Sequence, residues 1–344
     1  MQHITWSLSR SSLKNNKLLK IGGSAATDFL QGLITQKLPL ESPSSYTALC
    51  DIKGRIISSA HIFTLPDGSY LLSSETSSLG HLKPYILRKQ RKLVTLEDVT
   101  DKFTATAILG TGKGVTMFDG DGVLACAQDS IGVVRLITDE TVDLQNVFNE
   151  KVKESLVGYK FYRRVAGFLS SREAKGMTVY EANVDLLNGI SYDKGCYLGQ
   201  ETVARGYHKG QIRKRCMPAV IFPEDWEGTI EDGETELSVA SKLNFETGKE
   251  GGQEFEVLKG DLVEFEDKKV ATVVTPPLTA PGKIPTPLIL STHVDKRPNW
   301  NGSMVKVGNG WGKVWCWKPQ WWGELDDRGR KKKTNDISLK MTED

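Results

Sequence analysis

Apolar and polar residues alternate over short stretches of this chain more often than they recur every three or four positions. That pattern predicts a protein built chiefly of hairpins. Trp6 and Leu8, then Leu18, Leu19 and Ile21, predict two short strands about a turn at Lys14-Asn15-Asn16-Lys17. Ser24 to Gln36 has a capping serine and Ala25, Phe29, Leu30, Leu33 and Ile34 at helical spacing. Tyr46 to Cys50 and Ile56 to Leu65 predict a hairpin around the tight turn Asp51-Ile52-Lys53-Gly54-Arg55. Pro66-Asp67-Gly68 then turns the chain into a strand at Tyr70 to Leu72. An amphipathic helix is expected over His81 to Leu93, where Pro84 falls in the tolerated first turn. Strands at Val94 to Leu96, Thr104 to Leu109 and Val133 to Ile137 follow, then a helix at Leu144 to Val157, with helical signals resuming from Gly158 to Gly167.

From Arg213 to Phe222 a strand opens a second region. Leu262 to Phe265 and Val270 to Val274 predict strands around Asp267-Lys268-Lys269. Pro276 to Pro287 reads as a connection, Ile289 and Leu290 begin another strand, and Met304 to Val307 form one more. The acidic, glycine-rich stretch near 224–260 predicts a flexible loop insertion. Trp311, Trp315, Trp317, Trp321 and Trp322 predict packing of a small barrel or docking of the tail, with ligand binding the other reading. The basic run Arg328 to Thr334 is expected to fray. Helices and strands mix without strict alternation, which predicts the α+β class. Two domains are expected, 1–208 and 209–344.

Composition changes this picture little. The chain of 344 residues, 39% hydrophobic and 26% charged, suits a globular protein with a sizeable core. A formal charge of +2 with scattered cations gives no reason to expect nucleic acid. No apolar run is long enough for a membrane helix. The run Arg88 to Lys92 reads first as a solvated helix face, with an anion-binding patch the alternative. Gly110 to Gly114 lacks the spacing of a phosphate loop. Cys50, Cys126, Cys196, Cys216 and Cys316 have no metal-type spacing and leave one over, which suggests a reducing compartment. The first twenty residues are free of acids, as in a mitochondrial presequence. Their strand pattern instead suggests that any presequence has been removed.

The densest chemistry lies at Lys194-Gly195-Cys196-Tyr197-Leu198-Gly199-Gln200-Glu201, followed by Arg205 and His208. The glycines permit positive φ and close approach. Glu201 and Arg205 stand at i, i+4 and are expected to pair on a short helix. Lys194 and Arg205 are expected to favour the Cys196 thiolate, the form that attacks electrophiles or ligates iron. The alternative is a glycine-rich turn with a small buried thiol. Among the other cysteines, Cys216 follows Arg213-Lys214-Arg215 and is expected to be the next most reactive.

This stretch resembles the signature of the folate-binding YgfZ family: Lys-Gly-Cys-aromatic-x-Gly-Gln-Glu, then Arg four residues on. Glu181-Ala182-Asn183, Leu187 to Tyr192, Phe29 to Leu33 and the Asp51–Arg55 turn are similar to it as well. The likeness is strongest to the mitochondrial branch, which serves the maturation of 4Fe–4S proteins. It implies an α+β domain like that of the glycine-cleavage T-protein, with a cavity facing the signature, followed by a small antiparallel β-barrel. The implied role is assembly of iron–sulfur clusters in the mitochondrial matrix with A-type carrier proteins. No turnover, nucleic acid or membrane insertion is expected, and the chain is expected to be a monomer on its own. A cluster normally takes four protein ligands, so Cys196 is expected to share a 2Fe–2S cluster or iron with the partner. His208 reads as a surface group near the thiol rather than as a ligand. The rival reading is a folate-dependent aminomethyltransferase or demethylase. Where those enzymes carry acids, this chain has Ser58-Ser59 and Val165, so tetrahydrofolate is expected to bind weakly or not at all.

Overall fold

Alternating side chains dominate the folded chain as they do the sequence. The computed structural model describes residues 9–75, 93–109, 122–128, 131–142, 153–154, 156–222, 230–234, 257–277, 286–293 and 301–332, and a few positions between 238 and 243. The first region contains β1 (Ser9–Ser12), β2 (Asn16–Gly22), α1 (Ala26–Gln31), β3 (Ser44–Cys50), β4 (Ile56–Thr64), β5 (Tyr70–Glu75), β6 (Thr95–Asp98), β7 (Thr104–Leu109), β8 (Val123–Gln128), β9 (Val134–Thr138), β10 (Lys153–Glu154), α2 (Leu156–Val165), α3 (Ser171–Ala174) and α4 (Gln200–His208). Then come β11 (Lys214–Phe222), β12 (Leu262–Phe265), β13 (Lys268–Thr275), β14 (Thr286–His293), β15 (Met304–Val307) and β16 (Gly310–Cys316). Two five-stranded sheets, ordered β3-β4-β5-β2-β6 and β10-β1-β7-β9-β8, make the first region. The last six strands close a barrel in the order β11-β14-β13-β12-β15-β16. The fold is α+β, with a β-barrel as its second part.

β4 shows how the pattern works. Ala60 and Ile62 face a core shared with Leu30 and Ile34 beside α1, while Ser59 and His61 face the space between the sheets. The chain turns between β12 and β13 at Glu266 and Asp267, both at positive φ, the geometry of a two-residue hairpin. That places the turn one residue earlier than the sequence suggests. β14 starts at Thr286, inside the expected proline-rich connection, with Pro287 paired to Val220. The expected helix at Leu144 to Val157 is contradicted at its end. Lys153 and Glu154 instead pair parallel with Ser9 and Arg10, because sheet edge hydrogen bonds outweigh weak helical periodicity. The rest of that helix up to residue 152, the His81 to Lys92 segment, the 110–114 loop and residues 1–8 lie outside the described residues.

The two regions are joined by polar groups at their centre. Arg215 on β11 is fully buried and donates through Nη1 to the Tyr180 carbonyl at 2.9 Å and to Asp185 Oδ1 at 2.9 Å. Its Nη2 donates to Asp185 Oδ2 and the Gly329 carbonyl, both at 2.7 Å. Asn183, held at positive φ, donates to the Cys216 carbonyl, and Glu181 accepts from Ser291 on β14. Trp321 Nε1 donates to the Ala166 carbonyl at 2.8 Å, while Trp317 and Trp322 are buried. Trp317 and Trp322 thus pack into buried cores and Trp321 docks onto the first region, while Trp311 is exposed.

Two expectations about this half are revised. The tail is held rather than frayed at its described residues: Arg328 and Arg330 donate to the carbonyls of His208 and Tyr207. Within the acidic stretch, Ile230, Val239 and Leu243 are buried against Val165, Phe222 and Trp317, and Lys318 N donates to Asp232.

Replacing Arg215 by Met should strand the buried Asp185 carboxylate and lower unfolding free energy by about 3–5 kcal/mol. Urea denaturation would show this as a lower midpoint. The double variant Arg215→Met with Asp185→Leu should recover part of the loss.

Candidate functional site

The signature loop is stitched to α1 and β3 before it reaches its thiol. Thr35 Oγ1 donates to the Gly189 carbonyl at 2.6 Å, Ser191 N donates to the Thr35 carbonyl, and Leu198 N to that of Gly32. Lys194 is buried. Its ammonium donates to the carbonyls of Gln31 at 2.8 Å, Ile34 at 2.5 Å and Gln36 at 3.0 Å, and lies 4.7 Å from the Tyr197 ring centre. These carbonyls sit at and just past the C-terminal end of α1, where helical partners run out. Burial pulls the Lys194 pKa down to about 8. The expected role of Lys194 as a charge beside Cys196 is thus replaced by that of a clamp on α1.

Glycine decides how closely this loop meets the β3–β4 turn. Gly199, at φ 83°, precedes α4, and a Cβ there would lie 2.4 Å from the Asp51 carbonyl oxygen and 3.1 Å from Cys50 Cβ. Gly54, at φ 72°, would meet Thr202 on α4 at 3.0 Å. Each position requires glycine by both backbone angle and space. Gly195, by contrast, faces open space. Tyr197 is buried and Gln200 begins α4 half-buried. Glu201 and Arg205 pair at 2.6 Å on the exposed face of α4, as their spacing suggested, so the second expected cation is also engaged. His208 ends the helix, exposed and edge-on to Tyr207. Tyr207 stacks at 3.7 Å on Tyr192 and carries the Arg330 guanidinium on its ring, so tail and signature support each other.

Cys196 is exposed, and the four other cysteines are buried. Burial pushes the Cys50 thiol up to about 12 and those of Cys216 and Cys316 upward as well. Cys216, expected to be the reactive exception, is fully buried with its sulfur 3.8 Å from that of Met177. The cations before it point elsewhere, Arg215 to Asp185. Among the described residues no group of three or more His, Cys, Asp or Glu side chains is arranged to hold a metal.

A separate cleft, open to solvent, lies between the two sheets, in two lobes of about 410 and 270 Å³. Tyr46, His61 and Phe168 line both lobes, their ring centres 5.1–6.1 Å apart. The larger lobe reaches Leu187 and Asn188 of the lead-in, but none of residues 194–205 line either lobe. Neither of these two lobes is the cavity expected to face the signature. The loop closes on the Cys50–Gly54 end of the hairpin, while the cavity lies at its middle.

The smaller lobe is lined by Glu75, Arg135, Tyr159 and Arg163, none of which sequence reasoning singled out. Arg135 donates to Tyr159 at 3.2 Å and lies over the Phe168 ring; Arg163 pairs with Glu173 of the α3 cap. His61 is buried, its Nε2 has no hydrogen-bond partner, and burial with nearby Arg135 keeps its pKa well below the usual value. Ser59 lines this lobe, and Ser58 lies beside Ser171 at its edge. Val165 packs against Phe161, Val220 and Trp317 in a different core and does not line the cavity. Such signals are hard to read from sequence, since these groups come from β5, β9 and α2.

No protein-family model matches the chain. It is 28% identical over 254 residues to the iron-sulfur cluster assembly factor IBA57 homolog, mitochondrial, of Aspergillus oryzae, covering 62% of this chain and 57% of that protein. It is 27% identical over 261 residues to the mitochondrial assembly factor IBA57 of Mus musculus, covering 66% and 68%. The Neurospora crassa homolog matches at 26% over 303 residues, covering 79% and 66%. The fold is that of the glycine cleavage system aminomethyltransferase T of Bartonella henselae, with a TM-score of 0.62 at 11% identity over 95% of this chain and 88% of that one.

In the native protein a water-soluble alkylating reagent should modify Cys196 alone, with the other four thiols reacting only after denaturation. Intact-mass spectrometry followed by peptide mapping would show one adduct on residue 196. A second adduct of comparable rate would contradict the burial described.

Proposed function

We propose that this chain is a mitochondrial iron–sulfur cluster assembly factor, active in the matrix, which contributes Cys196 to a cluster shared with an A-type carrier protein. The observation that carries this reading is the contrast among the thiols. One is exposed on a loop that Lys194, Gly199 and Gly54 fix in place, and four are buried. Similarity to relatives named as mitochondrial assembly factors supports the same role. A single thiolate supplies one ligand, and a cluster normally takes four, so the partner supplies the remainder. The cluster is cargo in this scheme. Cys196 releases its thiol proton as it takes up iron, and the loop presents the sulfur without rearranging.

The cavity between the sheets favours this role over one-carbon transfer. Ser59 lines the cavity and Ser58 lies at its edge, where the family resemblance would lead one to expect acids in a transferase, and Val165 packs in a different core. A pterin ring gains its hold from a carboxylate that accepts its adjacent N–H donors. Glu75 is the carboxylate on the lining, and it already accepts from the Arg172 amide at 3.0 Å. Tetrahydrofolate is therefore proposed to bind weakly or not at all. The chain turns nothing over in this reading and is a monomer until it meets its carrier.

Two experiments test these statements. Mixing the protein with an A-type carrier loaded with 2Fe–2S cluster should yield a complex with new visible circular dichroism bands. Cys196→Ser should abolish that complex while shifting unfolding free energy by about 0.5 kcal/mol or less, because the site is exposed. Unchanged bands with the variant would remove the thiol from the ligand set. Calorimetric titration with tetrahydrofolate should give a dissociation constant weaker than about 1 μM, roughly −8 kcal/mol. Tighter binding would restore the transferase reading.

A further inference from the structure

Ile52 is 76% exposed, more than any other large hydrophobic side chain among the described residues. It stands at the tip of the β3–β4 turn, a place that glycine, proline, asparagine, aspartate and serine fill for conformational reasons and isoleucine does not. The turn is nevertheless rigid. Asp51 Oδ1 accepts from the amides of Lys53 at 2.8 Å and Arg55 at 2.9 Å, Asp51 N donates to the Arg55 carbonyl, and Arg55 Nη1 reaches the Gly176 carbonyl. An apolar group held out on so ordered a support loses little freedom when a partner covers it.

Its position links it to the thiol. The Gly199 backbone rests on Asp51 and Gly54, and Cys196 lies three residues before Gly199. Three residues of chain span at most about 11 Å. A protein partner of ordinary interface size covers roughly 800 Å² per side, a patch about 30 Å across. A partner of that size that reaches the Cys196 sulfur can therefore cover Ile52 in the same interface.

Charge indicates the partner's surface. Lys53, Arg55 and Lys175 are exposed around this turn, and among the described residues none has a carboxylate within ion-pair distance. Lys17, Lys20 and Lys102, elsewhere in the same domain, each have one at 2.6 Å. Asp51 is committed to its own turn and Glu201 to Arg205. An exposed aliphatic tip ringed by unmatched cations fits a partner with an apolar pocket inside an acidic rim.

We propose that the β3–β4 turn is the docking surface for the cluster-bearing carrier, with Ile52 as its apolar anchor and Lys53, Arg55 and Lys175 meeting an acidic rim. The proposal rests on the assembly reading above and adds where the partner binds. Ile52 and the unmatched cations position the carrier; the iron is met by Cys196.

The test titrates the full chain with a carrier loaded with 2Fe–2S cluster and records both affinity and visible circular dichroism. Ile52→Asp should raise Kd at least about tenfold while leaving the melting temperature and the bands at saturation unchanged. Lys53→Glu should weaken binding and flatten its salt dependence. Trp311→Ala, at the 63% exposed tryptophan of the barrel, serves as the comparison and should leave Kd unchanged. Wild-type affinity in the Ile52→Asp protein would overturn the docking surface and leave the role of Cys196 standing. A wild-type chain that does not bind the loaded carrier at all would overturn the assembly reading and the docking surface together.

Discussion

A buried guanidinium sets the terms for the rest of this structure. Arg215 lies on the first barrel strand, yet its partners are the Tyr180 carbonyl, Asn183, Asp185 and the Gly329 carbonyl. Removing a charge of this kind from water costs several kcal/mol, which the five hydrogen bonds of its two Nη atoms offset although Nε has no partner. The lead-in to the signature, the barrel and the tail must therefore be in place together. The positive φ of Asn183, unusual for any residue with a side chain, is a local cost accepted so that its amide can reach the Cys216 carbonyl.

The signature divides its work along similar lines. Most of its specified residues are scaffold: Lys194 satisfies carbonyls at the end of α1, Gly199 lets two backbones touch, and Glu201 and Arg205 neutralise each other on the surface. Cys196 itself is exposed at the surface. The cavity between the sheets belongs to a different part of the first region and shares no lining residue with residues 194–205. The first region thus presents a second feature, at the end of a hairpin, to the outside.

How far the sequence could be read depended on the distance over which the signal acts. The β3–β4 hairpin, five of the six barrel strands (all but β16) and the Glu201–Arg205 pair follow from neighbours a few residues apart, and the structure contains them. Cys196 is exposed, as a reactive thiol requires, but the two cations expected to favour its thiolate are both engaged elsewhere. What failed was direction over long range. Lys194 was read as a charge beside the thiol, but the orphaned carbonyls of residues 31–36 lie about 160 positions away in the chain and draw it inward. Arg215 was read as an activator of Cys216 because the two are adjacent, although alternation on a strand sends their side chains to opposite faces. Arg135, Arg163 and Glu75 escaped notice because three separate elements bring them together.

The tail carries a consequence for synthesis. Carbonyls at the end of α4 are met by Arg328 and Arg330, and the Arg215 network includes the Gly329 carbonyl. A nascent chain that has already emitted its thiol loop, and even all six barrel strands, still lacks these groups. The loop that bears Cys196 thus leaves the ribosome with its contacts to residues 31–54 already available, and well before the tail that meets the end of α4. A premature stop codon shortly before residue 328 would produce a protein with its whole signature present but without the tail's contacts to α4, Tyr207 and Arg215.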